Sequence, residues 1–387
     1  MSTANVAPEV PTTHKACVYD KPGTCSIAIR DVPTPAPGPN EVLVKLTHSG
    51  ICHSDHGIMM NSWKTLPVPT KTGQVGGHEG LGHIVKLGEG AEKAGVKIGD
   101  RVGIKWVSSA ATVRKPEARA DLCVLLPAPC TEGLEGLCFN QRISGYYTPG
   151  NSHLRQEQEA AARANSPSYV TPIPESLPGE LAAPMLCAGV TTYSALRKCG
   201  ASPGQWVVIS GAGGGLGTVA TSLAARGMGF RVIGIDMPGK KESVLESGAE
   251  HFIDLTQFDD ASIGKEVKKL TGLGAAAVIV CTGNNRAYGQ ALSMLRFSGT
   301  LVCVGMPTGE QVPIANAFPS TLVQQGHRIV ASAVGNRREA IDTLDMATRG
   351  VVKFPVRTVG MSELQSVFED MGEGKITGRV VLDFSSA

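Results

Sequence analysis

Three short motifs, far apart in the chain, carry the residue types that hold a borderline-soft metal ion. Cys52-His53-Ser54-Asp55, Gly77-His78-Glu79-Gly80 and Leu186-Cys187-Ala188-Gly189 together offer two thiolates and an imidazole. Donors of this kind suit zinc, and three protein ligands leave a fourth position open to bind an alcohol or carbonyl oxygen directly. Taken singly, each residue has a plainer reading. An isolated cysteine is usually a small buried hydrophobe, and a lone histidine is a satisfied polar group. Only the constellation reverses that weighting.

A second stretch that could do chemistry lies further on. Val207-Val208-Ile209-Ser210 reads as a buried strand, Gly211-Ala212-Gly213-Gly214-Gly215-Leu216-Gly217 follows it, and Val219 to Arg226 reads as a helix. Such a loop brings a pyrophosphate against backbone amides at the positive end of a helix, which makes Gly214, Gly215, Leu216 and Gly217 candidate cofactor contacts. The fingerprint register puts Ala212 at its first position. A glycine-rich turn alone is only a tight strand-to-helix connection, but the next strand adds weight. Val232-Ile233-Gly234-Ile235 ends in Asp236, nineteen residues after Gly217. A carboxylate there accepts both ribose hydroxyls of adenosine and repels a 2′-phosphate, so NAD is expected over NADP. Lys241 is placed to contact the same ribose, although a lysine in such a pair is more often simply solvated.

Motifs this far apart need a scaffold that folds back on itself. The 387 residues exceed one usual domain and suit two. From Lys15 to about Gly103 the chain shows short β-rich runs, such as Val42 to Leu46 and His83 to Leu87, punctuated by Pro-Gly and Gly-rich turns. From about Leu181, helical stretches alternate with buried-strand runs at Trp206 to Ser210, Arg231 to Asp236, Ala277 to Cys281 and Thr300 to Gly305. That alternation predicts βαβ units and a parallel sheet. The class is α/β. A β-rich domain is expected over 1–180 with an atypical 111–168 region, a doubly wound domain over 181–320, and a return to the first domain over 321–387, closing on the strand-like Gly378 to Phe384. Within the atypical region Gln156 to Ala164 is polar and helix-favouring without an apolar stripe, which predicts a solvated helix or a disordered loop.

Composition narrows the partners. Hydrophobic residues make up 42% and charged residues 18%, enough to bury a sizeable core and too ordered a mixture for general disorder. Thirty-six basic against thirty-four acidic residues give +2, with no like-charged block to track a phosphate backbone or an anionic bilayer. Neither nucleic acid nor membrane is an expected partner. Ten cysteines in so long a chain read as reduced thiols, some of them metal ligands. Met1 to Pro11 lacks the apolar core of a signal peptide, and no apolar run reaches the roughly 18–20 residues that span a bilayer. The cytoplasm is the expected location.

The run Gly77, His78, Glu79, Gly82, Gly88 and Ala91 resembles the signature of zinc-containing medium-chain alcohol dehydrogenases. Cys52-His53-Ser54-Asp55, Gly103-Ile104-Lys105-Trp106, Ala183-Pro184-Met185-Leu186-Cys187-Ala188-Gly189, Val304-Gly305-Met306-Pro307 and Val334-Gly335-Asn336-Arg337 look like the fungal branch. The likeness spans nearly the whole chain except about 111–128 and 151–168. It implies a GroES-like β-rich catalytic domain with a Rossmann NAD-binding domain, and one catalytic zinc held by Cys52, His78 and Cys187. Asp55 would fix the His78 ring, and Glu79 would approach the metal during ligand exchange. Ser54 would take the alcohol proton. His53 and Arg337 fall at positions that contact the cofactor pyrophosphate, Val304 is a further cofactor contact, and Met306 falls near the nicotinamide. Trp63, eleven residues after Cys52, and Trp106 match positions lining the alcohol pocket; ordinary core indoles are the bland alternative. The implied reaction is reversible hydride transfer between a small primary or secondary alcohol and NAD, in a homotetramer. A reductase for a bulkier aldehyde or ketone stays open as an alternative, as does an NAD-binding paralogue of impaired stability and little activity.

Three departures from the family pattern carry their own expectations. The family's four-cysteine structural zinc site follows C-x2-C-x2-C-x7-C, and its first position here is Ala111. Cys130 and Cys138 keep the C-x7-C end and Cys123 offers a third thiolate, a set that argues against a closed tetrahedral site. After Gly150 a family strand is replaced by polar, alanine-rich sequence, which predicts unpaired groups on the neighbouring sheet. The proton-relay histidine, five residues after the first zinc cysteine, falls on Gly57, with His56 one position early and slower proton release the expected cost.

Overall fold

A computed structural model describes residues 10–63, 66, 68–108, 129–138, 142–146, 153–154, 161–164, 170–308, 310 and 312–385. In the first part, β1 (Thr13–Tyr19) turns back into β2 (Ile27–Pro33), and β3 (Val42–Ile51) leads into the short helix α1 (His53–Met59). β4 (Gln74–Val75) pairs with β1, and β5 (Glu79–Leu87) lies antiparallel to β3 with β6 (Arg101–Gly103) on its far side. β7 (Val107–Ser108) pairs with β8 (Arg142–Ile143), β9 (His153–Leu154) with β1, β10 (Ala161–Ala164) with β3, and β11 (Thr171–Pro172) with β6.

Over Ala161 to Ala164 the strand β10 corrects the helix or loop expected there and the unpaired sheet expected beside it, while 156–160 lie outside the described residues. The last strand of the chain covers β3 only at His48 to Ile51, which leaves Val42 to Lys45 open on that side, and Ala161 to Ala164 pair there. Sheet groups that need partners have overridden the helix preference of alanine.

The second part begins with α2 (Gly179–Pro184), which runs through a π-helical turn, Met185–Gly189, into α3 (Val190–Lys198). Six parallel strands follow in the order β14-β13-β12-β15-β16-β17. They alternate with helices along the chain: β12 (Trp206–Ser210), α4 (Gly215–Ser222), β13 (Arg231–Asp236), α5 (Lys241–Glu246), β14 (His251–Asp254), α6 (Ile263–Thr271), β15 (Ala275–Val280), α7 (Asn285–Met294), β16 (Leu295–Cys303), α8 (Pro319–Gln325) and β17 (Arg328–Ala331). Both faces of this sheet are buried: Val207 and Ile209 pack with Leu223 and Leu344, while Val208 between them packs with Ile233 and Val278 on the other side. Strand order reverses beside β12, which opens a crevice at the carboxyl ends of the strands. Because β17 pairs with β16, the parallel sheet runs past the boundary expected at 320.

The chain then returns. α9 (Arg337–Thr348) packs against the π-helical turn; β18 (Val356–Val359), α10 (Leu364–Gly372) and β19 (Arg379–Asp383) complete the first part, with β19 antiparallel to β3. A separate core fills that part, with Val44, Ile84, Val102, Trp106 and Phe368 among its buried members.

Candidate active site and metal centre

Cys52 stands between the end of β3 and the first turn of α1, and its backbone N–H donates to the Asp55 carboxylate at 3.2 Å. His78 immediately precedes β5. Cys187 sits in the π-helical turn, where Pro184 removes a backbone donor and helps widen the helix. These three elements bring together Cys52, His78, Glu79 and Cys187, all buried, with their ligand atoms within 4.8 Å of one another. His78 Nδ1 faces the Asp55 carboxylate at 2.8 Å, so Nε2 is left toward the sulfurs, 3.2 Å from Cys187 Sγ. Two thiols, an oriented imidazole and a carboxylate in one buried cluster fit a zinc ion.

The electrostatics agree with a cation-binding cluster. Cys52 and Cys187 titrate as a pair: a hydrogen bond from the Cys187 thiol holds Cys52 well below the ordinary thiol range, and the same bond with burial holds Cys187 well above it. Burial presses His78 down, yet the Asp55 carboxylate and the Cys52 thiolate outweigh it and raise the imidazole to about 10. Burial pushes the Glu79 carboxyl up to about 7, against the pull of Arg379. Both Glu79 oxygens accept from the buried Arg379 guanidinium, the geometry of an ionised pair.

Arg379 is the residue that local reading missed. It opens β19, its Nη1 would lie 2.9 Å from a Cβ built on Gly215, and its buried Nε has no hydrogen-bond partner among the described residues. An orphaned donor beside the N-terminus of α4 fits a cofactor phosphate. Its signal was a single arginine in Gly378-Arg379-Val380, without local pattern. Arg337 opens α9, where its Nε donates to the Val170 carbonyl and its backbone N–H to Glu135, each at 3.1 Å.

The other expected residues are placed as follows. Gly214 precedes α4, which begins with Gly215, Leu216 and Gly217. Asp236, at the end of β13, accepts from the Gly213 N–H at 2.7 Å and so lies against the glycine loop. Lys241 opens α5, and it is the Lys240 stem that packs on Gly213. Val304 and Met306 follow β16 at the carboxyl edge of the sheet. Ser54 and the exposed His53 lie in the first turn of α1. His56 points to α10, with its ring 6.1 Å from Phe368 and 5.4 Å from His53, and burial lowers its pKa. Gly57 is covered by the Trp63 indole, 3.4 Å from where its Cβ would stand. Trp63 meets Trp106 at 5.8 Å, and Trp106 meets the edge of His78 at 4.1 Å, an aromatic wall leading to the metal cluster. Cys138 is buried and forms no disulfide among the described residues. Cys123 and the Cys130 side chain lie outside the described residues.

Fold and site define a two-domain, metal-assisted, dinucleotide-dependent oxidoreductase. The "Alcohol dehydrogenase GroES-like domain" family matches residues 38–158, and the "Zinc-binding dehydrogenase" family matches 215–349. The chain is 54% identical over 385 residues to alcohol dehydrogenase 2 of Emericella nidulans, covering 98% of this chain and 100% of that one. It is 37% identical to alcohol dehydrogenase 1 of Neurospora crassa, over 97% of this chain and 99% of the relative. Among solved structures, acetophenone reductase from Geotrichum candidum in complex with NAD superposes with TM-score 0.79 at 25% identity, over 98% and 100% of the two chains. The alcohol dehydrogenase of Aeropyrum pernix gives 0.79 at 27% identity, over 95% and 99%. The protein belongs to the zinc-containing medium-chain alcohol dehydrogenases. It is an NAD-dependent oxidoreductase of that family, with zinc and NAD as cofactors.

Proposed function

We propose that the chain oxidises small primary or secondary alcohols, and reduces the matching aldehydes or ketones, at the cluster of Cys52, His78 and Cys187. The convergence of these donors, with Glu79, within 4.8 Å carries the reading. Bound there, zinc supplies Lewis-acid polarisation of the substrate oxygen, and NAD takes or returns the hydride. Asp55 holds the His78 ring so that Nε2 faces inward. Ser54 Oγ relays the hydroxyl proton, accepting it as it gives up its own toward solvent. Asp236 accepts the adenosine ribose hydroxyls with Lys241 beside it, while the glycine loop and Arg379 donate to the pyrophosphate, and His53 approaches it from α1. Trp63 and Trp106 bound the alcohol pocket and exclude water, with Val304 and Met306 at the nicotinamide.

A second reading takes a bulkier aldehyde or ketone as substrate, and Trp63, which also lines a recess of about 180 Å³ with Ile58, Asn61, Leu66, Val68 and Pro69, is the side chain that would have to make room for it. Self-association is supported by exposed apolar side chains near the edge strand β17, among them Phe297, Phe318, Val323 and Ile329. A homotetramer is the assembly that the family likeness suggests. No helix among the described residues is long and apolar enough to cross a membrane, and the cytoplasm remains the proposed location. The decisive experiment follows NADH absorbance with purified protein on ethanol, longer alcohols and aromatic alcohols, with Cys52→Ala as control. Activity surviving that substitution refutes the metal-centred mechanism. A marked preference for aromatic alcohols favours the second reading.

A further inference from the structure

We propose that Glu135 is a positioning residue of the metal centre, a carboxylate that ties the bend bearing Trp106, between β6 and β7, to the N-terminus of α9. The proposal rests on Cys52, His78 and Cys187 as the zinc ligands. Glu135 Oε2 accepts from Lys105 Nζ at 2.6 Å, where the lysine side chain is only 2% exposed. Oε1 accepts from the backbone N–H of Arg337, the first residue of α9, at 3.1 Å. An anion at a helix N-terminus satisfies an orphan donor and meets the positive end of the helix dipole. One carboxylate therefore holds two elements that are remote in sequence.

The neighbouring contacts show how closely the segment carrying Glu135 is seated. The Gly133 carbonyl accepts from Asn336 Nδ2 at 3.1 Å, and a Cβ on Gly136 would stand 2.3 Å from the Ala333 carbonyl oxygen, so only glycine permits the approach. Between those two contacts Val334 has φ 49°, a left-handed conformation that a β-branched residue adopts only when its surroundings impose it.

Each end of the tether leads to a metal ligand. Lys105 precedes Trp106, whose ring lies 4.1 Å from His78. α9 packs on the π-helical turn of Cys187, with Thr343 close against Gly189 and Gly335 against Val190. Glu135 thus joins the wall beside His78 to the wall that carries Cys187. Among the described residues, the segment 129–138 is thus held to both elements by Glu135 itself.

The test compares wild type, Glu135→Gln, and the double variant Lys105→Met/Glu135→Met. A glutamine offers one acceptor oxygen where two donors point and leaves the buried Lys105 without a counter-charge. The double variant removes both charges but still gives the Arg337 N–H no acceptor. Zinc content, zinc release into 4-(2-pyridylazo)resorcinol, thermal midpoint, and KM for ethanol and NAD are measured. Glu135→Gln should release zinc about 10-fold or more faster, as loss of a group supporting the ligands does. It should also raise the ethanol KM more than the NAD KM. The double variant should regain thermal midpoint while still releasing zinc fast. Wild-type zinc release and ethanol KM in Glu135→Gln, whatever its midpoint, overturn the proposal, and so does full recovery of zinc retention in the double variant. If Glu135→Gln does not accumulate as folded protein, zinc release from the double variant alone decides. A wild type that purifies without zinc and fails to retain added zinc refutes the parent reading instead.

Discussion

The carboxylate of Glu79 and the guanidinium of Arg379 meet across 300 positions of sequence, with both side chains buried. The glutamate opens β5 beside the metal cluster and the arginine opens β19 beside the glycine loop, so one ion pair links the metal site to the cofactor site. A Cβ on Gly50 would stand 1.8 Å from Glu79 Oε2, and the bare backbone there makes room for the pair.

Breaking that pair from one side should be costly. Arg379→Leu leaves Glu79 buried without its counter-charge and should lose roughly 3–5 kcal/mol of stability, read by urea unfolding. Glu79→Gln with Arg379→Leu should recover much of it. NAD affinity, measured by fluorescence quenching, should stay weak in both, because the donor beside Gly215 is gone. Unchanged NAD affinity would remove Arg379 from the cofactor site.

Metal analysis should find one tightly held zinc per chain. Chelation, or Cys187→Ser, should abolish alcohol-dependent NADH formation while NAD still binds at the glycine loop. Two tightly held zincs per chain would falsify the expectation that the lobe around Cys138 has no closed site.

Cofactor choice should follow Asp236. A charge-assisted hydrogen bond is worth about 1.5–3 kcal/mol, so Asp236→Ser should raise the NAD KM roughly tenfold or more. Removing the negative charge should also raise kcat/KM with NADP. An unaltered NAD to NADP ratio would place the ribose elsewhere.

Partly desolvated histidines should draw stability down in mild acid, while Glu79, whose carboxyl burial raises to about 7, binds its proton first in the folded chain and acts the other way. Burial lowers the pKa of His14, His48 and His327 below the ordinary 6.5. Below that value the unfolded chain binds protons that the folded chain refuses, so the histidines' contribution to stability rises with pH through this range. The loss begins as pH falls through about 6.5 and is complete once the folded-state pKa values are passed. Between pH 7.5 and 5 the thermal midpoint of His14→Asn should fall less than that of wild type, and two midpoints that move in parallel would contradict the shift.

Much of this protein is local enough to read from its residues. The six-stranded sheet follows from apolar runs such as Val207 to Ile209, whose alternate residues feed two cores, and Cys52, His78 and Cys187, named as donors by their chemistry, are brought together by the fold. The place of Asp236 against the glycine loop was legible because the distance from such a loop to the next strand end is nearly fixed. Ala161 to Ala164 were misread because their conformation answers to an open stretch of β3, not to alanine's own preference. Arg379 was missed because a lone arginine has no periodicity or spacing to mark it.

The sequence by itself determined the fold class, the two-part plan and the donor set, since propensity, burial pattern and ligand chemistry act over a few residues. The tertiary structure alone decided which cations meet which carboxylates: Arg379 with Glu79, and Lys105 with Glu135. Those partners are chosen by burial, because a charge removed from water must find whatever counter-charge folding places beside it, however distant in the chain.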